Sequence, residues 1–165
     1  MNSFGSHFVF TSFGESHGAA VGGVLDGVPA GLHINFDLVR SELLRRSGQG
    51  IAGASERAKH EPDEVEWLSG VIDGVTLGTP VAFLIRNRDA RPEDYEWLKN
   101  NCRPGHADRV YMQKYGIRDW RGGGRASARE TAARVVAGCI AKQILRAKGI
   151  HIRAELIQVG TETDP

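Results

Sequence analysis

Two histidines on glycine-flanked turns, and arginines recurring every fourth residue beside a glycine run, are the groups in this sequence best suited to chemistry. Gly14-Glu-Ser-His17-Gly18 places one imidazole between glycines, and Arg103-Pro-Gly-His106-Ala-Asp108 places another on a turn stiffened by proline. Imidazole is the side chain that ordinarily gains and loses a proton near neutral pH, so either histidine is a candidate for proton transfer. The plain alternative for each is a surface-turn histidine. Gly14 to Gly18 also fits the G-x-S-x-G pattern of a nucleophile elbow. An elbow needs a helix straight after its serine, whereas Ala19 to Leu25 reads as a strand, so that reading is set aside. No His/Cys/Asp grouping has zinc spacing, and no metal site is expected.

Arg121-Gly-Gly-Gly-Arg125-Ala-Ser127 runs directly into a helix-forming stretch that carries Arg129. Glycines let backbone amides converge without a side chain in the way, and a helix start adds unpaired amides and partial positive charge. Arginine forks match phosphate and carboxylate. Together these make a physically sound anion site. The loop is neither a Walker loop nor a dinucleotide fingerprint, because Gly-Lys-Ser/Thr and G-x-G-x-x-G are both absent. A flexible loop before an ordinary helix is the bland reading. If Ser127 caps that helix, its hydroxyl is less free for a ligand.

Bulk properties narrow the class. The 165 residues suffice for one domain, and 41% hydrophobic content favours a folded core over disorder. Formal net charge is +1, a poor footprint for nucleic acid or membrane. Between Arg103 and Arg134, however, eight Lys/Arg face only Asp108, Asp119 and Glu130, a local excess of five that predicts an anionic partner. A nucleic-acid reading of the arginine loop with Tyr115 and Trp120 is the rival, and the near-neutral total disfavours it. Cys102 and Cys139 cannot form a disulfide framework and are expected to be reduced, in a cytoplasmic protein. No apolar run is long enough to span a membrane, and no signal peptide is recognisable.

The elements that must position these groups are mixed. His7 to Thr11 and Ala19 to Leu25 read as strands. Asn35 can cap a helix from Phe36 to about Arg46, with Phe36, Val39 and Leu43 on one face. Val65 to Asp73 and Pro80 to Ile85 read as a strand pair around a glycine turn. Pro92 suits a helix start, with Glu93-Asp94 in its first turn. Ser127-Ala-Arg-Glu130 reads as a capping box opening a helix to about Lys148. Its apolar spacing is carried by Val135, Cys139 and Ile144, or by Val136 and Ile140. Ile152 to Val159 reads as a strand with no element after it, which suggests part of a larger fold. No linker, repeat or internal boundary divides residues 1–165.

Taken together, three segments resemble the chorismate synthase family. They are Phe13-Gly-Glu-Ser-His-Gly18 with Leu25-Asp-Gly-Val-Pro-Ala-Gly31, Arg103 to Asp108 running on to Lys114-Tyr-Gly-Ile-Arg-Asp119, and Arg121 to Thr131. Glu64-Val-Glu-Trp-Leu-Ser-Gly70 adds a fourth match, and the order is preserved along nearly the whole chain. The resemblance implies an α+β fold, a β-α-β sandwich, of which this chain is the N-terminal portion of a single domain and so incomplete. It implies reduced FMN as cofactor, NADPH as a flavin reductant, a homotetramer, and loss of phosphate from 5-enolpyruvylshikimate 3-phosphate to give chorismate. By position, His17 and His106 are the implied catalytic residues. Arg125, Ala126, Ser127 and Arg46 are implied for the cofactor, and Arg103, Arg129, Ser127 and Arg57 for the substrate. The resemblance also implies that the isolated chain is inactive, since the remaining half supplies other groups. Arg45 to Arg57 departs from the family pattern. It lacks a proline, is about two residues longer, and has Ala54 where an arginine is expected, which weakens the Arg57 assignment and the implied use of nicotinamide.

Overall fold

Alternation of apolar and small residues in Val9–Gly14 (β2), Ala20–Asp26 (β3) and Val81–Arg86 (β7) builds the centre of an antiparallel sheet. The computed structural model describes residues 2–48 and 60–163. Ser3–Phe4 (β1) and Val65–Ser69 (β4) complete the sheet, in the order β1-β2-β3-β7-β4. Register puts Phe10, Leu25 and Val81 in one row, Gly23, Phe83 and Trp67 in the next, and Val21, Ile85 and Val65 in a third. All three rows lie on one face, because side chains alternate along a strand.

Two helices cover that face. Asn35 accepts the Leu38 amide at 2.9 Å and so starts the helix Phe36–Ser47 (α1), as its position predicts. Val39 and Leu43 are buried, whereas Phe36 is 41% exposed and meets the Trp67 ring edge-on. The second helix, Thr131–Arg146 (α3), turns Ala132, Ala133, Val136, Cys139 and Ile140 into the core, with Val135 and Ile144 half-buried against it, so both spacings lie on the buried face. Gln143 joins the helices by accepting the Asn35 amide at 2.7 Å, and Lys142 pairs with Glu42 at 3.1 Å.

Four expectations are corrected. The strand pair β4 and β7 forms, but Val71–Ile72 (β5) and Val75–Thr76 (β6) make a small hairpin between its members, so the connection is more than a turn. The Pro92 element is a 3-10 helix over Pro92–Leu98; Arg118 draws on the carbonyls of Leu98 and Asn101 at its end. Ser127 caps by accepting the Arg129 amide, but a 3-10 turn over Ala128–Glu130 precedes α3. The reciprocal half of the capping box is not made, because the Glu130 carboxylate is taken by Ser12, Arg125 and Arg134. Finally, residues 152–157 form no strand; only Gln158–Val159 (β8) and Glu162–Thr163 (β9) pair, and both are exposed.

The architecture is α+β, with one five-stranded sheet against two helices. Among the described residues the other two sheets are two-stranded, so one large β layer of the implied sandwich is present. No described helix is long and apolar enough to cross a membrane.

Both cysteines are free; Cys102 is exposed and Cys139 is buried, and burial pushes the Cys139 thiol up to about 11. At pH 8 a thiol reagent should therefore label one cysteine per folded chain and two after denaturation. Phe83, fully buried in the central row, should cost about 3–5 kcal/mol when changed to Ala, read as a shift in the urea midpoint.

Candidate functional site

The site grows from the connection between β2 and β3 and from the loop that precedes α3. β2 ends at Gly14, and Glu15 to Ala19 turn back into β3, so Ser16 is followed by a turn and a strand, as the rejection of the elbow requires. Ser16 is 1% exposed. Its hydroxyl lies 3.0 Å from His17 Nδ1 and donates to the Gly122 carbonyl at 3.3 Å. The Tyr95 ring meets the His17 ring edge-on, with centroids 4.7 Å apart.

The glycine run lies against both imidazoles. Gly122, Gly123 and Gly124 all have positive φ, of 58°, 88° and 53°. A Cβ on Gly122 would stand 2.1 Å from His17 Nδ1. One on Gly123 would stand 2.4 Å from His106 Cε1 and 2.7 Å from Arg103 Nη2. These separations are far inside van der Waals contact, so only glycine lets the loop pass here. The structure thus brings His17, His106 and Arg103 to one loop, although 89 positions separate the histidines in sequence.

His106 is held on both sides. Its Nδ1 is 3.0 Å from Asp108 Oδ1, and its Nε2 is 3.0 Å from Arg103 Nη2. Asp108 opens the helix Asp108–Tyr115 (α2) and is 4% exposed. Burial pushes the Asp108 carboxyl up. The Arg103 amide, the His106 ring and the Arg118 charge outweigh it and hold the carboxyl below the ordinary aspartate range.

The remaining predicted groups separate into two clusters. Arg125 reaches back to β2, donating to the Gly14 carbonyl at 3.0 Å and to Ser12 Oγ at 2.6 Å, with Glu130 at 3.4 Å. Arg129 is 6% exposed and pairs with Asp63, and its Nε donates to Asn87 at 2.9 Å. Arg46 takes the other oxygen of Asp63 at 2.6 Å. The Ser127 oxygen is engaged by its cap, as its position warned. Arg57 and the atypical segment 49–59, Ala54 included, lie outside the described residues.

A cavity of about 760 Å³ opens beside the loop. It is lined by Tyr111, Tyr115, Trp120, Arg118, Arg125 and Ala126, with Glu15, Asp108 and Asp119 supplying acidic groups. Its lining includes neither imidazole, nor Ser127, Arg103 or Arg129. Among the described residues, no three His, Cys, Asp or Glu side chains are grouped to hold a metal. Much of the local positive charge is met internally: Arg121 pairs with Asp119 at 2.8 Å, and Arg134 with Glu130 at 2.7 Å.

Sequence reasoning missed Asp63, Glu61 and Ser12, which no local pattern marks. The role of Asp108 did have a signal, an acid two residues beyond a turn histidine.

Fold and site together define an α+β protein in which a glycine-arginine loop, two imidazoles and an aromatic-lined cavity are neighbours. The chorismate synthase family model matches residues 8–164. Chorismate synthase of Phocaeicola vulgatus is 55% identical over 160 residues, covering 96% of this chain and 44% of that protein. The Helicobacter pylori protein of that name is 50% identical over 160 residues, covering 97% and 43%. A crystal structure of chorismate synthase superposes with a TM-score of 0.71 at 36% identity, over 96% of this chain and 40% of that one. The chain belongs to the chorismate synthase family, and it spans less than half the length of these relatives.

Because the folded Asp108 carboxyl is depressed, its contribution to stability is complete above the ordinary aspartate range and is lost as pH falls through the lowered value. Asp108→Asn should therefore flatten the acid limb of a stability-versus-pH curve. Gly123→Ala should displace His106 and destabilise the fold by about 1 kcal/mol or more, measured by denaturant titration.

Proposed function

We propose that this chain is the N-terminal portion of a single-domain lyase. The whole protein would remove phosphate from 5-enolpyruvylshikimate 3-phosphate to give chorismate, with reduced FMN as cofactor. One observation carries the reading: the loop of residues 122–124 meets both imidazoles, and the cavity beside it has aromatic walls that also carry arginines and carboxylates. Family membership supports it independently.

The residues present fit a flavin. About 760 Å³ suits a cofactor of that size, and the rings of Tyr111, Tyr115 and Trp120 offer apolar surface to a planar ring system; Arg118 and Arg125 line the same cavity, and each would share its present scaffold contacts with a phosphate. Arg125, Ala126 and the backbone ahead of Ser127 would hold it. When bound, reduced FMN supplies electrons transiently, so the elimination needs no net redox change.

The chain's own groups bind, orient and handle protons. The substrate loses its C3–O bond to phosphate and a hydrogen from C6. His17, backed by Ser16 and packed on Tyr95, would protonate the departing phosphate. His106 would govern the proton balance beside the cofactor. Arg103 is the substrate-binding arginine nearest both imidazole and loop. Arg129 and Arg46 could reach a ligand only by exchanging Asp63 for it, so they serve first to anchor the Ser127 turn. Arg57 keeps a substrate role in this reading on resemblance alone. So do the homotetramer, NADPH as flavin reductant and a cytoplasmic location.

The test is phosphate release by the whole protein, under anaerobic conditions with reduced FMN. His17→Ala and His106→Ala should each lower turnover by roughly 10²-fold or more, while residues 1–165 alone should release no phosphate. Full turnover in both variants, or none in the unsubstituted whole protein, would overturn the reading.

A further inference from the structure

We propose that Asp108 is a positioning residue that fixes His106 in one tautomer, with hydrogen on Nδ1 and a lone pair on Nε2. The geometry leaves little choice. Arg103 Nη2 stands 3.0 Å from His106 Nε2, and a guanidinium only donates, so Nε2 accepts. A neutral imidazole has one N–H, which therefore sits on Nδ1 and donates to Asp108 Oδ1 at 3.0 Å. The other Asp108 oxygen accepts the Arg103 backbone amide at 3.0 Å, which closes the Arg-Pro-Gly-His turn on itself.

Asp108 is placed for this work as well as for closing its own turn. Its burial limits replacement by water. Arg103 Nε at 3.8 Å and Arg118 Nη1 at 3.9 Å balance its charge. It is the first residue of α2, where free amides favour a carboxylate. An asparagine could not take its place. One carbonyl oxygen can accept from the ring or from the Arg103 amide, and the amide nitrogen would then face a donor at the other contact. Asp108 thus acts through His106, which presents its lone pair toward Arg103 at the edge of the glycine loop. The kinetic half of this inference rests on the proposed lyase function; the tautomer does not.

The test uses the whole protein labelled with nitrogen-15 histidine. Long-range proton–nitrogen spectra distinguish a bare ring nitrogen from a protonated one, and the His106 signals are those missing from His106→Ala. The expected spectrum shows Nδ1 protonated and Nε2 bare. Asp108→Asn takes away the acceptor for the Nδ1 hydrogen while Arg103 still opposes hydrogen on Nε2, so the spectrum should show a mixture of both tautomers, and kcat should fall about tenfold or more, as a misplaced tautomer does in other histidine–aspartate pairs. In a His106→Ala background the same change should alter kcat by less than about twofold, because residues acting as a unit are not additive. Hydrogen on Nε2 in the unsubstituted protein would overturn the inference, and that measurement needs no variant to fold. An equal kcat loss with and without the imidazole would overturn it too. A protein with the expected tautomer but no phosphate release would uphold this inference and refute the lyase reading.

Discussion

Three residues without side chains govern the site. The backbone at Gly122, Gly123 and Gly124 takes left-handed φ values while two imidazoles and a guanidinium crowd against it. A Cβ on Gly122 or Gly123 pushes into an imidazole, one on Gly124 comes within 3.1 Å of Asp119 Cβ, and the left-handed region already penalises other residues. The close approach is what makes neighbours of a turn between two strands and a turn ahead of α2. Without it, His17 and His106 would be separate surface histidines.

Charge pairing supplies the second constraint. Asp63 bridges Arg46 at the end of α1 and Arg129 ahead of α3, and its own φ of 48° is one that aspartate tolerates better than most. The Glu61 carboxylate accepts the Arg88 amide at 2.7 Å. Removing one member of such a buried group leaves an unpaired charge, which costs more than the pair contributes. The arrangement therefore works as a clasp. It joins α1, the end of β7 and the Ser127 turn. Arg125 ties its own loop to β2 through Ser12 and Gly14, and to Glu130. Guanidinium groups that look in the sequence like a ligand's counter-charge are thus largely committed to the scaffold.

The elements set by short-range physics were legible. Asn35 caps α1 because its side chain reaches an amide three residues on. β2, β3 and β7 follow from alternation that buries one face, and the apolar spacing of residues 131–146 gives α3. Family membership was equally legible, because glycines, histidines and arginines at these spacings are specific. Less legible were the β5–β6 hairpin and the failure of Ile152 to Ile157 to form a strand. Strand propensity stays unrealised there because, among the described residues, no strand lies alongside to take the backbone bonds.

The sequence by itself determined which groups could do chemistry, most of the segments that curl or extend, and that a glycine run could bring backbone amides together beside arginines. Tertiary structure alone decided who pairs with whom. Ser12 and Arg125 stand 113 positions apart, Asp63 and Arg129 stand 66 apart, and Glu130 abandons its capping box for partners brought by β2. No periodicity encodes such contacts. They arise when burial of the Phe83 row draws sheet and helices together, and each charge so enclosed must find whatever opposite charge the fold has carried to it.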